Sequence, residues 1–341
     1  MKVKKPGLRA SLVLFAVSFT GAVLQAAEPE IISVAKIWDH GEHNAFTDLI
    51  RFRASWWCTF REGNGHAGNN GRVRVIVSGD GDKWESAALI AEDGIDLRDP
   101  KLSLMPDGRL MLMMGGSVYD AKGTYQTRAP RVVFSTDGHK WTKPQKLLAE
   151  DHWLWRVTWH NGKGYSISKL GVGRDPRRVM LYRTDDGIHW EWLTEFRNMP
   201  AWPNEATIRF LDDNEMVVLL RRNKTARIGT SRPPYTEWQW KDTGNQIGGP
   251  NFIRLPDDSL WAAGRRYGEQ PATVVARMTR DSYEPILTLP SGGDCSYPGM
   301  VWHDGLLWIS YYSSHEGKTS IYLAKIKVPL RECGAVSIVR P

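Results

Sequence analysis

The sequence predicts an all-β protein, a six-bladed β-propeller with four antiparallel strands in each blade. The first observation is a tight polar turn between two apolar strands, which recurs about every fifty residues along the 341-residue chain. Asn and Gly tolerate the backbone angles of short hairpin turns, so these segments are strong hairpin signals. Five of these turns are Pro106-Asp107-Gly108, His160-Asn161-Gly162, Asp212-Asp213-Asn214, Pro256-Asp257-Asp258 and His303-Asp304-Gly305, and an earlier, degenerate copy is Arg53-Ala54-Ser55.

The second observation is that the chain has almost no amphipathic helix pattern, and the third concerns the two ends of the repeat. The segment IISVAKIWD, residues 31–39, precedes the first hairpin and has no partner nearby in the sequence. The last unit ends at SIYLAKIKV, residues 320–328, without an outermost strand. We therefore expect the N-terminal strand to complete the last blade, which makes residues 28–341 one domain.

The N-terminus resembles a secretory signal peptide over residues 1–27. Lys2, Lys4, Lys5 and Arg9 precede the apolar run Ala10–Leu24, and small residues follow. Removing this leader takes away four basic and no acidic residues, so the net charge falls from +7 to +3. We expect an exported, monomeric protein with no nucleic-acid partner and no stable membrane insertion.

The chain has three cysteines, an odd number, and no two of them have CxxC spacing: Cys58, Cys295 and Cys333. They predict neither a disulfide framework nor a zinc site. With no HExxH segment and no nucleotide-binding loop, the sequence predicts no cofactor and no metal.

Three turns between outer strands share one signature, Ser/Thr-x-Asp-Gly-x-x-Trp. The copies are SGDGDKW at Ser78–Trp84, STDGHKW at Ser135–Trp141 and TDDGIHW at Thr184–Trp190. This pattern resembles the Asp-box, or BNR repeat, of the sialidase superfamily. The resemblance implies a six-bladed propeller and a carbohydrate-active enzyme. In these turns the Asp and Ser/Thr side chains can bond the turn amides, so we interpret the motif as scaffold rather than as part of the site.

The front face is defined here as the face on which the first strand of each blade begins and the second strand ends. It collects arginine, carboxylate, histidine and tyrosine side chains, and arginine clusters suit planar carboxylates. The candidate substrate-binding residues on this face are Asp48, Arg61, Arg98, Asp99, Arg156, Arg221, Asn251 and Arg265. We expect Arg156, Arg221 and one of Arg265 and Arg266 to converge in one pocket. Lys169 and Asn204 belong to the same face.

The resemblance to sialidases implies roles for two residues in particular. Sialidases open the fourth blade with a glutamate that is followed by an arginine sixteen residues later, and Glu205 and Arg221 have that spacing. A nucleophilic tyrosine opens the sixth blade, where this sequence has Tyr297. The neighbouring Glu205 would accept its proton.

Two positions depart from the family. Asp48-Leu49-Ile50 replaces the first-blade Arg-Ile-Pro, and the loop that should hold an Asp acid reads Arg61-Glu62-Gly63-Asn64-Gly65-His66. His66 or Glu62 is then the candidate acid, with Asp96 and Asp99 as fallbacks.

The sequence therefore favours an exo-glycosidase that removes an acidic or polar terminal sugar. One alternative is a polysaccharide lyase that acts on uronates with the same scaffold. Another is a glycan-binding propeller without turnover, in which Trp153, Trp155, Trp159 and Trp202 would stack on sugars.

Overall fold

A computed structural model describes residues 1–3, 28–68, 71–171 and 177–331. These residues form twenty-five β-strands in six antiparallel sheets and no helix, which confirms the predicted six-bladed propeller. Within these ranges there is accordingly no helix long and apolar enough to cross a membrane. Most of the predicted signal peptide, residues 4–27, lies outside the described residues, as does Cys333.

The chain begins with β1 (Glu30–Trp38), and each of the first three blades then follows as a continuous segment. Blade 1 comprises β2 (His43–Phe52), β3 (Ser55–Gly63), β4 (Arg72–Ser78) and β5 (Glu85–Ile90). Blade 2 comprises β6 (Asp96–Leu104), β7 (Leu110–Tyr119), β8 (Tyr125–Ser135) and β9 (Gln145–Lys146). Blade 3 comprises β10 (His152–Leu154), β11 (Thr158–His160), β12 (Lys163–Leu170), β13 (Arg178–Thr184) and β14 (Trp190–Glu195). Its innermost strand is interrupted, since β10 and β11 both pair with β12.

The last three blades complete the ring. Blade 4 comprises β15 (Ala206–Phe210), β16 (Met216–Leu220), β17 (Arg227–Ser231) and β18 (Gln239–Asp242). Blade 5 comprises β19 (Ile247–Arg254), β20 (Leu260–Arg266), β21 (Ala272–Met278) and β22 (Tyr283–Thr288). Blade 6 comprises β23 (Cys295–His303), β24 (Leu306–Ser313) and β25 (Ser320–Lys327), with β1 as its outermost strand. Strand β1 runs antiparallel to β25, so the predicted closure of the ring by the N-terminal strand is confirmed.

Neighbouring blades pack face to face through apolar side chains. Between blades 1 and 2, for example, Trp57 and Val75 belong to the same buried cluster as Leu97 and Leu112. Because the side chains of a strand alternate between its two faces, each blade can contribute to a cluster on either side. The ring of blades therefore fixes the positions of the strand ends that form the front face.

The three Ser/Thr-x-Asp-Gly-x-x-Trp turns have one hydrogen-bond pattern. In the blade 2 copy, Asp137 accepts bonds from the amides of His139 and Lys140 at 2.9 and 2.8 Å, and the Trp141 indole donates to the Gly138 carbonyl. Gly138 has a φ of 82°, and a Cβ there would lie 2.3 Å from the Trp57 ring of blade 1. Only glycine suits that position, and the turn packs one blade against the next.

Candidate active site

A cavity of about 400 Å³ opens on the front face. Its walls come from the starts of first strands, the ends of second strands and the starts of third strands, which all lie at the same end of their blades. The lining residues are His66, Arg98, Asp99, Ser117, Tyr119, Tyr125, Arg128, Trp153, Lys169, Arg177, Asn204, Glu205, Arg221 and Tyr297. Six of the twelve residues predicted as site candidates therefore line one cavity.

Glu205, Tyr297 and Arg221 form a hydrogen-bonded group in this cavity. The Tyr297 hydroxyl donates to Glu205 Oε1 at 2.7 Å, and Arg221 Nη1 lies 2.8 and 2.9 Å from the two Glu205 oxygens. Arg221 Nη1 also donates to the Tyr297 hydroxyl oxygen at 3.0 Å. The predicted contact between Glu205 and Tyr297, 92 residues apart in sequence, is thus present.

Two of the cavity residues lie at local irregularities in the pairing of their strands. Four inner strands, β2, β6, β19 and β23, each carry a register shift near the front end. One residue in each shift has a left-handed backbone, with φ between 53° and 64°: Phe46, Asp99, Gly249 and Tyr297. Such bulges redirect a side chain that would otherwise follow the strand alternation. Asp99 and Tyr297 line the cavity from these positions.

Gly249 leaves the space that Tyr297 occupies. A Cβ on Gly249 would lie 2.6 Å from the Tyr297 ring, and its φ of 54° already favours glycine. The ring also packs edge-on against Phe46 and Trp155, with centroids 5.1 and 5.8 Å away. The tyrosine is thereby held with only 7% of its surface exposed, at the cavity.

The charges around Glu205 keep it ionised. Burial raises its pKa, but the positive charges of Arg221 and Lys169 and the Tyr297 hydrogen bond outweigh this effect and lower the pKa to about 2. Burial raises the pKa of Tyr297 well above its ordinary value, and the negative charge of Glu205 raises it further. The proton between the two residues therefore belongs to Tyr297 in the free protein.

Cationic side chains line much of the remaining wall. Arg128 and Lys169 lie over the Trp153 ring, and Arg177 lies over the Trp202 ring, at 5.3 to 5.5 Å from the ring centroids. Burial lowers the pKa of Lys169 to about 7. Asp99 and Glu205 are the two carboxylates among the residues that line the cavity. The wall thus carries more positive than negative charge.

Several guanidinium groups in this wall have unused hydrogen-bonding capacity. Within the described ranges, the Nε atoms of Arg98, Arg177 and Arg221 are buried without a hydrogen-bond partner. Buried polar groups in proteins are nearly always paired, so these unpaired donors, on residues that line the cavity, would suit an anionic ligand after a side-chain movement that uncovers them.

Asp48, Arg156 and Asn251 do not line the cavity. Arg156 Nη1 donates to Asp48 Oδ1 at 2.6 Å, and Asn251 Nδ2 donates to the Pro298 carbonyl at 3.0 Å. The inner strands converge around the centre of the ring, so polar residues on them satisfy one another there. The expected convergence of Arg156, Arg221 and Arg265 or Arg266 in one pocket is therefore wrong, since only Arg221 lines it.

Arg61 and Glu62 form hydrogen bonds with other protein side chains and do not line the cavity. Arg61 is fully buried and donates to Asp96 Oδ1 at 2.8 Å, which also engages the fallback acid Asp96. Glu62 accepts bonds from Trp38 Nε1 and Arg74 Nη2, both at 2.8 Å. Neither Glu62 nor Asp96 is placed to donate a proton in the cavity.

His66 and Arg265 meet at Asp294. His66 Nδ1 lies 2.7 Å from Asp294 Oδ2, and Arg265 Nη2 lies 3.0 Å from Asp294 Oδ1. His66 lines the cavity, whereas Arg265 also donates to the Cys295 carbonyl and does not line it.

Third strands contribute residues to the site that were not predicted from the sequence. Tyr125 and Arg128 lie on β8, and Arg177 directly precedes β13. The starts of third strands reach the same face as the ends of second strands, so the hairpin pattern could have identified them. The sequence also contained a signal for the bulges at Asp99 and Tyr297. Each of these residues is followed by a proline, and proline inside a sheet is largely confined to edges and bulges.

The six-bladed propeller is a fold that this chain shares with glycoside hydrolases of known structure. No protein-family model and no curated protein sequence matches the chain.

Among solved structures, a protein of unknown function from Dyadobacter fermentans has 18% identity and a TM-score of 0.77, with 88% of this chain and 99% of that chain covered. An α-L-arabinofuranosidase from Fusarium graminearum has 14% identity and a TM-score of 0.69, with 87% and 98% covered. A Trypanosoma rangeli sialidase in complex with sialic acid has 10% identity and a TM-score of 0.66, with 88% of this chain and 59% of that chain covered. At these identities the likeness concerns the fold.

Proposed function

We propose that the protein is a glycoside hydrolase that removes an acidic terminal sugar from a glycan. The observation that carries this proposal is the hydrogen-bonded group of Tyr297, Glu205 and Arg221 in a cavity with an excess of cationic side chains. The ring of blades can form without this hydrogen-bonded group and without an excess of positive charge in the cavity. Together they combine a nucleophile and base pair with a surface that attracts a carboxylate or a similar anion.

In this proposal the Tyr297 hydroxyl oxygen attacks the anomeric carbon while the glycosidic bond breaks. Its proton passes to Glu205 Oε1, which already accepts a hydrogen bond from it at 2.7 Å. A water molecule then attacks the same carbon and displaces the Tyr297 oxygen, which takes its proton back from Glu205, while the residue that protonated the departing oxygen accepts the proton that the water loses. A neutral tyrosine is suited to an anionic sugar, since a carboxylate nucleophile would repel it.

We assign the proton donor for the departing oxygen to Asp99. This residue lines the cavity and is 9% exposed; its Oδ2 atom lies 3.7 Å from Arg98 Nε, and its Oδ1 atom is buried without a hydrogen-bond partner in the described part of the chain. Its backbone is left-handed, with a φ of 54°, a conformation that costs a residue other than glycine some free energy. A carboxyl group that lines the same cavity as the nucleophile can protonate a leaving group once it carries a proton.

The decisive experiment incubates the purified protein with a panel of acidic oligosaccharides and follows reducing sugar and unsaturated uronate separately. We expect a saturated product, and we expect Tyr297→Phe to lower kcat by at least about a thousandfold while the fold is kept. Tyr283→Phe is the matched control, because it also removes a buried hydroxyl but lies outside the cavity. Full activity of Tyr297→Phe would exclude the tyrosine mechanism.

A lyase acting on uronates is the second candidate, and Lys169 favours it. With a pKa of about 7, this lysine is partly unprotonated near neutral pH and could take a C5 proton. An unsaturated product that disappears in Lys169→Met but persists in Tyr297→Phe would establish elimination. A protein that binds the oligosaccharides and forms neither product would be a glycan-binding propeller.

Export is part of the proposal. It rests on the basic and apolar pattern of residues 1–27. Mass spectrometry of the protein from the periplasm or the medium should give a chain that begins near Glu28.

A further inference from the structure

Two histidines and an aspartate meet beside the cavity. His43 is the first residue of β2, His66 lies in the loop between β3 and β4, and Asp294 directly precedes β23. Asp294 Oδ2 lies 3.1 Å from His43 Nε2 and 2.7 Å from His66 Nδ1. One atom from each of the three residues lies within 4.8 Å of the other two. Two imidazole nitrogens thus point at a single carboxylate oxygen.

Two other side chains hold the second oxygen of the Asp294 carboxylate. Asp294 Oδ1 accepts hydrogen bonds from Arg265 Nη2 at 3.0 Å and from the Tyr312 hydroxyl at 2.9 Å. The ring of His66 packs edge-on against Phe46 at a centroid distance of 5.0 Å. A carboxylate that is bonded through one oxygen and presents the other is typical of a metal ligand with its supporting residues.

We propose that His43 Nε2, His66 Nδ1 and Asp294 Oδ2 bind one divalent transition-metal ion, with zinc the best fit. Atoms bound to the same ion at about 2.0 to 2.2 Å in tetrahedral geometry are about 3.3 to 3.6 Å apart, so the spacings of 3.1 and 2.7 Å to Asp294 Oδ2 would each lengthen by less than about 1 Å. Imidazole pairs with a carboxylate suit zinc and its neighbours in the first transition row rather than magnesium or calcium.

Three protein ligands leave at least one coordination position open. Because His66 lines the cavity, an open position here would be close to a bound ligand. An oxygen atom of the sugar or a water molecule is the chemical group that this position would take. The ion would therefore add a second point of attachment for the glycan at the rim of the cavity.

The proposal goes against the sequence-level expectation of no metal, and the reason is spacing. His43 and Asp294 are 251 residues apart, and His66 and Asp294 are 228 residues apart, so no short motif signals the site. Only the closure of the ring brings blades 1 and 6 together. The competing explanation is a purely hydrogen-bonded cluster in which Asp294 orients His66 as a proton donor.

The test uses full-length protein without an affinity tag, stripped with EDTA and titrated with zinc chloride in a calorimeter. We expect one equivalent of zinc per chain and no comparable binding of magnesium. His66→Ala should weaken zinc binding by at least about tenfold. This substitution carries little folding risk, because 52% of the His66 side chain is exposed.

His43→Ala should have the same effect, and His40→Ala is the matched control, since its ring is 73% exposed and lies outside the cluster. Equal zinc binding by His66→Ala and the unmodified chain would overturn the proposal, as would the absence of binding. The readout is binding alone, and Tyr297→Phe should bind zinc normally. Failure here is therefore separate from failure of the glycosidase proposal.

Discussion

Replacing Glu205 by glutamine tests the balance of charge at the centre of the proposed site. The folded protein lowers the Glu205 pKa from 4.5 to about 2, because Arg221, Lys169 and Tyr297 favour the carboxylate more than burial disfavours it. A difference of this size between the folded and unfolded chain is worth about 3 kcal/mol of stability at neutral pH. Glu205→Gln removes that contribution and leaves Arg221 buried without its partner.

The pH dependence distinguishes this charge effect from a simple packing defect. A carboxyl group with a depressed folded pKa stabilises the protein fully above about pH 4.5, and the contribution disappears as the pH falls towards about 2. We therefore expect Glu205→Gln to be less stable than the unmodified protein by about 3 kcal/mol at pH 7 and by a smaller amount at about pH 3.5. Urea unfolding at both pH values measures the difference.

The control for this experiment is Glu284→Gln, which changes an exposed glutamate on β22. It should leave the free energy of unfolding nearly unchanged at both pH values. A Glu205→Gln variant that is as stable as the unmodified protein at pH 7, or that loses the same free energy at both pH values, would contradict the electrostatic account.

Three other predictions concern binding and scaffold. Arg177→Gln should weaken binding of an acidic oligosaccharide by about tenfold or more and reduce its salt dependence, measured by calorimetry at two ionic strengths; an unchanged affinity would remove this residue from the site. Affinity for the same ligand should fall as the pH rises through about 7, where Lys169 loses its charge, and Lys169→Met should abolish that dependence. Asp186→Ala should lower the melting temperature by about 2 °C, because two amide hydrogen bonds are lost, and should leave affinity unchanged; normal stability with lost binding would move this turn into the site.

The fold could be predicted because it repeats. Short hairpin turns depend on a few residues with special backbone preferences, and six copies at regular intervals leave few alternatives to a propeller. The pairing of β1 with β25 followed from counting, since the last unit lacked a strand that the first unit had in excess. These features depend on local sequence, which the chain displays directly.

The site was only partly predictable, because the sequence shows where a residue begins a strand but not which partner it meets. Arg156 and Arg221 both belong to the front ends of their blades, yet Arg156 pairs with Asp48 whereas Arg221 borders the cavity. The difference depends on how the inner strands converge and on the bulges that turn Asp99 and Tyr297. Such pairings arise between blades, and no periodic pattern encodes them.

The pKa values of the central pair bear on how the proposed reaction would begin. In the free protein the Glu205 pKa is low and the Tyr297 pKa is high, so transfer of the proton from tyrosine to glutamate is unfavourable. Arg221 contributes to this barrier, because it donates to both residues through Nη1. Its Nε atom is buried and free of hydrogen bonds to the described residues, so in the proposed complex an anionic sugar would reach it after a side-chain movement and without displacing Glu205. The bound anion would partly neutralise Arg221, raise the Glu205 pKa and make that carboxylate a better base. A neutral sugar would leave the barrier in place, so under the proposed mechanism acidic substrates would be favoured in the reaction step as well as in binding.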